Sequence, residues 1–160
     1  MKSLSIAILL AATLVAQERP RDKMPVYHAK STTGESLDNS ALQGKPVLIQ
    51  LWATWCGYCR KDQPIVEKLS KEFAEKGLIV VAVNVGETRD KVNAYLKENP
   101  RPGVKMVFSE DSNLAPMIQP QGFPFYVLLD KEGRIAGAQA GSGGEPTLRN
   151  LLTKVGLQNN

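Results

Sequence analysis

Two cysteines, Cys56 and Cys59, are the only thiols among 160 residues, and they stand two residues apart in Trp55-Cys56-Gly57-Tyr58-Cys59. They follow the apolar run Val47-Leu48-Ile49-Gln50-Leu51-Trp52, which comes after a Gly-Lys-Pro turn and reads as a buried strand. Helical periodicity sets in after Cys56, so the pair sits where a strand hands over to a helix. A helix N-terminus offers unpaired backbone N–H groups and the positive end of the macrodipole, both of which favour thiolate over thiol. Thiols so placed have pKa values lowered from about 8.5 into the range of roughly 3.5–7.5. With a second sulfur one turn along, the first can attack a disulfide and the second can then displace it.

Two other uses of a close cysteine pair fit less well. A disulfide across so short a loop constrains the unfolded chain only slightly, which argues against a stability staple. A structural zinc site normally takes four ligands, and the chain offers no further cysteine and a single histidine, His28, far from the motif. Neither a metal nor a bound cofactor is expected.

The elements that must position the pair follow from periodicity and turn residues. Residues 26–30 and 35–37 flank Thr33-Gly34 and predict a small hairpin, followed by a helical turn at Ser40-Ala41-Leu42. The main helix is expected to run from the cysteines to about Lys76, with Val66, Leu69 and Phe73 as its buried stripe and Gly77 as its stop. Residues 78–85 are apolar on both faces, as a central parallel strand requires. Residues 88–98 predict a helix with Val92, Tyr95 and Leu96 inward, 105–108 a short strand and 113–118 a short helix. Residues 125–129 and 134–140 form an antiparallel pair around Asp130-Lys131-Glu132-Gly133, and the last helix carries Leu148, Leu151, Leu152 and Val155 on one face. Gly141-Ser142-Gly143-Gly144 could suggest a phosphate cradle, but no Lys-Ser/Thr follows it, and a turn before a capped helix is the better reading.

The ends of the chain bear on its compartment. Lys2 followed by a largely apolar stretch of thirteen residues, 4–16, has the build of a secretory signal too short to span a bilayer comfortably, although an uncleaved anchor is the alternative. Residues 17–24 read as a charged tether, and residues 25–160 as one domain. The formal net charge of +4 is spread along the chain and gives no argument for nucleic-acid binding. A protein exported to a compartment where disulfides persist, with only a reactive pair of cysteines, is using sulfur for chemistry.

This order of elements and three stretches of sequence resemble a known family. The stretches are Leu51-Trp52-Ala53-Thr54-Trp55-Cys56-Gly57-Tyr58-Cys59, Ile79-Val80-Val81-Ala82-Val83-Asn84-Val85-Gly86-Glu87 and Gly122-Phe123-Pro124 before the 125–130 run. Across roughly residues 25–156 the chain is similar to exported thiol-disulfide oxidoreductases of the TlpA/ResA type. The resemblance implies an α/β thioredoxin fold, a mixed central sheet flanked by helices, here with an N-terminal β-hairpin extension. It implies a single soluble or membrane-anchored monomer in the periplasm or another extracytoplasmic space. It further implies reduction of disulfides in exported cysteine-containing proteins, apocytochrome c among them, with electrons from a membrane thiol donor.

Roles follow residue by residue. Cys56 is the attacking thiol and Cys59 the buried resolving thiol. Asp62, one turn beyond Cys59 where the family often has Glu, could accept or supply the resolving thiol's proton; the alternative is a solvated helix charge. A proline at Pro64, also a family feature, removes a helical hydrogen bond and is structural. Pro124, at the start of an apolar strand, suits a cis X-Pro turn, and in the family this loop faces the cysteines; Phe123 and Pro124 are therefore expected to contact substrate. Trp52 is read as core and Trp55 as an exposed partner contact beside Gly57 and Tyr58.

Two departures matter. Gln50, six residues before Cys56, stands where thioredoxins bury an aspartate, so proton handling falls to Asp62 or water. The Gly57-Tyr58 dipeptide lacks the family's frequent proline and matches some periplasmic isomerases, which keeps an isomerase or oxidant reading open. A copper-binding module of the same fold uses another cysteine spacing and a later histidine, and a peroxiredoxin-like peroxidase lacks the Trp-Cys-x-x-Cys pattern.

Overall fold

A computed structural model describes residues 21–158; the expected signal segment at residues 1–16 lies outside them. The order is β1 (Ala29–Ser31), β2 (Val47–Trp52), α1 (Gly57–Glu72), β3 (Ile79–Asn84), α2 (Arg89–Glu98), β4 (Lys105–Ser112), α3 (Leu114–Ile118), β5 (Phe125–Leu129), β6 (Ile135–Ala140) and α4 (Gly144–Thr153). The strands form one mixed sheet in the order β1-β4-β3-β2-β5-β6, parallel for β4-β3-β2 and antiparallel at both flanks. This is the mixed α/β sheet that the resemblance implied.

Strand alternation divides the core in two. On β2, Leu48, Gln50 and Trp52 face the side covered by α1, α2 and α4, where Val66, Leu69, Val92, Leu148, Leu151 and Leu152 are buried. Val47, Ile49 and Leu51 face the other side, covered by α3 and by Met24, Tyr27, Leu37 and Leu42 of the N-terminal segment. Both faces of β2 and β3 are therefore dry, which explains their unbroken apolar sequence. Across β2 and β5 the antiparallel register sets Gln50 directly opposite Tyr126, on the α1 side. Among the described residues, no helix is long and apolar enough to cross a membrane.

Several boundaries differ from the sequence reading, for backbone reasons. Only one arm of the N-terminal hairpin is a strand; the other is a single bridge from Ser36 to Lys30, closed over Gly34 at φ 89°. β4 extends to Ser112 because β1 pairs with it there, so its length is set by backbone pairing and not by the apolar run that ends at Phe108. The main helix stops at Glu72, and residues 73–76 close in tighter turns before Gly77 at φ 85°. Residues 40–42 form turns without a helix. Residues 21–24, the end of the expected tether, are instead fastened to the domain: Arg21 pairs with Asp130, Ile135 N–H donates to the Asp22 carbonyl, and Met24 is buried. The Arg21 charge and the backbone of Asp22 and Lys23 thus find partners on the β5–β6 end.

Candidate active site

The β2–α1 junction places both sulfurs. Cys56 is the N-cap of α1, in extended backbone, and its Sγ accepts the Cys59 backbone N–H at 3.0 Å. It fills the place usually taken by a Ser or Asp oxygen at a helix start. The two cysteines are joined as a disulfide with Cα atoms 5.2 Å apart. Cys59 is fully buried and Cys56 is 5% exposed. Cys56 is thus less open than a bare helix start suggests, yet it is the one cysteine of the pair with any exposed surface.

Around this small opening stands an apolar collar. Trp55 is 62% and Tyr58 65% exposed, which is costly for rings of this size unless a partner covers them. Phe123, half-buried, meets the Trp55 ring edge-on at 5.9 Å between centroids. The Phe123-Pro124 peptide is cis, and Pro124 is buried with its carbonyl accepting the Gly141 N–H. Gly57, exposed, opens the helix. Trp52 lies wholly in the core against Tyr95. His28 is an exposed residue whose backbone N–H donates to Asn113, away from the sulfurs.

Asp62 is not a solvated helix charge. At 1% exposure it lies one turn below Cys59, with Oδ2 accepting from the Tyr126 hydroxyl at 2.8 Å and Oδ1 from Ser142 Oγ at 2.5 Å. A buried carboxylate is tolerable only with such donors. The network goes on: Gln50 Nε2 donates to the Tyr126 hydroxyl at 3.1 Å, and Arg101 Nη1 donates to Gln50 Oε1 at 3.0 Å. Burial, and then the Asp62 charge, push the Tyr126 phenol far above its ordinary range, so it remains a proton donor to Asp62. Burial pulls the Arg101 guanidinium down, against the nearby Glu67 carboxylate.

A second polar cluster holds the loop in front of Cys56. Glu87, after β3, accepts from Thr54 N–H at 2.6 Å, Thr54 Oγ1 at 2.6 Å and Asn84 Nδ2 at 2.7 Å, and pairs with Lys91 at 2.8 Å. Burial works against its charge, but these donors prevail and bring the carboxyl down to about 2. Arg60 reaches back from α1 to the Thr54 carbonyl at 3.1 Å. Two residues before Cys56, the chain is therefore clamped from both sides.

From sequence, Glu87 is only part of a matching stretch, Ser142 only part of a turn, and Tyr126 and Arg101 carry no functional signal of their own. A tyrosine in an apolar strand looks like core, and a serine among glycines looks like a turn. The one available signal was Gln50, a polar side chain in a run with both faces buried, which must find partners.

Comparison with known proteins agrees with this geometry. The Redoxin family pattern matches residues 19–153. The chain is 30% identical over 132 residues to the thiol:disulfide interchange protein DsbE of Pseudomonas fluorescens biotype C, covering 82% of this chain and 70% of that one. It is 28% identical over 133 residues to the thiol-disulfide oxidoreductase ResA of Bacillus subtilis (strain 168), covering 82% and 73%. A crystal structure of a thiol:disulfide interchange protein of the thioredoxin family from Chlorobium tepidum TLS superposes with a TM-score of 0.72 at 19% identity, over 86% of this chain and 98% of that one, a likeness of fold.

Proposed function

The chain belongs to the redoxin family, as a thioredoxin-fold thiol-disulfide oxidoreductase of the TlpA/ResA type acting on cysteine-containing proteins, and from that premise we propose that it reduces disulfides in exported proteins. One observation supports this most: a sulfur capping a helix at the bottom of an exposed apolar collar, with its partner sulfur sealed beneath. A folded or unfolded polypeptide can lay a disulfide on that collar, whose exposed Trp55 and Tyr58 rings offer it apolar contact.

In the reaction, the Cys56 thiolate attacks one sulfur of the partner's disulfide, the other partner sulfur leaves as thiolate, and a mixed disulfide remains. Cys59 gives up its proton and attacks Cys56 Sγ, so the partner departs as a dithiol and the pair ends as the disulfide seen here. Trp55, Tyr58 and Phe123 supply the contact surface, Gly57 leaves the approach to Cys56 free of a side chain, Phe123 presents its backbone to the substrate, and Pro124, buried behind it, holds that backbone in the cis turn. Asp62 takes the Cys59 proton. The disulfide is itself the redox group, so no bound cofactor is needed. Export in a cleaved or anchored form, a monomeric state, a membrane thiol as electron donor and apocytochrome c as one substrate complete the reading.

The direction of electron flow is tested by equilibrating the pair with glutathione or dithiothreitol buffers. A potential of about −270 mV is expected, and one near about −120 mV would make the protein an oxidant. Asp62→Asn, which keeps shape and removes the proton acceptor, is expected to slow release of mixed disulfides on the order of a hundredfold at neutral pH and to flatten the pH–rate profile. Stopped-flow rates across pH check this, and a profile that superimposes on the unaltered protein would remove Asp62 from the mechanism.

A further inference from the structure

The chain of hydrogen bonds behind Asp62 has a direction, and its source is a buried cation. Arg101 has a side chain only 1% exposed, between Pro100 and Pro102 in the approach to β4. Its Nε stands 3.6 Å from Glu67 Oε1, an ion pair too long to be a hydrogen bond, and among the described residues neither Nε nor Nη2 has a hydrogen-bond partner. The guanidinium lies 5.7 Å from the Trp52 ring centre. Its hydrogen bond goes through Nη1 to Gln50. Burying a guanidinium with most of its donors unmet is expensive, which calls for a return elsewhere.

That return lies in what a guanidinium cannot do. Arginine has donors and no acceptor, so it must face the oxygen of the Gln50 amide. The amide nitrogen then faces Tyr126 and donates to its hydroxyl. A phenol has one proton, and with its oxygen already accepting, that proton goes to Asp62 Oδ2. Each link leaves the next no choice. At the other end the constraint is weaker, because the Ser142 hydroxyl, half-buried and donating to Oδ1, can turn about its C–O bond and either donate or accept.

We propose that Arg101 is a positioning residue for the proton step: by fixing which end of the Gln50 amide faces Tyr126, it makes Asp62 Oδ2 a permanent acceptor. Oδ1, on the Ser142 side, is left as the oxygen that takes and releases the proton. The inference rests on the role given to Asp62 above. The charged and titratable groups facing this chain are Asp62 and Glu67 on α1, Tyr95 on α2, Arg101 and Tyr126, with the cysteine pair at the start of α1; β6 carries none, and Glu145 and Arg149 of α4 pair with Lys68 and Glu72.

The test compares Arg101→Met, Arg101→Lys and Tyr126→Phe in the full chain. Two quantities are read beside the melting temperature: hydrogen exchange of the Gln50 side-chain amide by NMR in the oxidised protein, and the pH–rate profile of disulfide reduction. Arg101→Met frees the amide, so its exchange should speed up about tenfold or more, and the profile should move toward that of Asp62→Asn. Arg101→Lys keeps a donor opposite Gln50 Oε1 and should restore both. An Arg101→Met protein that melts lower yet keeps the original exchange and profile would overturn the proposal. Should that variant not fold, Tyr126→Phe decides, since it keeps the ring and cuts the chain next to Asp62; a profile unchanged from the parent would be fatal. If Asp62→Asn itself leaves the profile unmoved, the role of Asp62 falls as well, whereas a changed Asp62→Asn profile beside an unmoved Arg101→Met one removes Arg101 alone.

Discussion

Cys56→Ser is expected to lose disulfide exchange by at least about a thousandfold, while Cys59→Ser keeps the first half of the reaction and accumulates mixed disulfides with its partners. The asymmetry follows from geometry. Cys56 Sγ accepts a helix N–H, and Cys56 is the one cysteine of the pair with any exposed surface, so it can carry negative charge and meet a substrate. Cys59 has no exposed surface, so a partner sulfur cannot arrive in line with it until Cys56 has already made the mixed disulfide. Non-reducing gels of extracts containing each variant read the trapped species, and insulin reduction reads the turnover. Equal trapping by Cys56→Ser would reverse the order of attack. Brief alkylation of the reduced protein gives an independent check, with Cys56 expected to carry the label.

How much of this was readable before the structure depended on the range of the interactions. β2, β3 and β5 are apolar runs between turn residues, and each lies within a residue or two of where its sequence placed it. The cysteine pair falls at a strand-to-helix handover because the pattern changes period at Cys56. Trp52 in the core and Trp55 outside it follow from their places before and after the end of β2. Asp62, by contrast, has its fate decided by residues 64 and 80 positions away, Tyr126 and Ser142. Helical spacing told only which neighbours lie within a turn, so a surface charge and a buried acceptor looked alike. Gln50 and Arg101, 51 residues apart, meet only because β2 lies central in the sheet and the approach to β4 passes over its α1 side.

The contrast between Gln50 and Glu87 shows two ways in which this chain stabilises charge near the sulfurs. On β2 the polar position is neutral and passes a fixed polarity along to Asp62. After β3 the carboxylate is ionised and collects four donors from three elements, so the loop carrying Thr54 and Trp55 is tied to Asn84 and Lys91. Both devices fasten the ground beneath Cys56 by hydrogen bonds, and the exposed collar above it is left to meet partners.

Glu87→Gln should therefore destabilise the fold by about 2 kcal/mol near neutral pH, a value discounted from the full linkage of its depressed carboxyl. A glutamine can place its oxygen toward Thr54 N–H and Asn84, but its amide nitrogen then faces Lys91, turning an ion pair into an opposition of donors. The pH dependence carries the sharper signature. Folding lowers this carboxyl from its ordinary 4.5 to about 2, so its contribution is complete above pH 4.5 and is lost as pH falls toward about 2. The stability gap between the parent protein and Glu87→Gln should be widest near neutrality and close steadily between those two values. Urea unfolding at a series of pH values measures it directly. A gap that stays constant down to the lowest pH would mean that Glu87 acts through shape and not through charge. Because Thr54 lies two residues before Cys56, the same variant should also lower the rate of disulfide exchange at pH 7, and lowering the pH toward 2 should bring the parent's loop to the same loosened state.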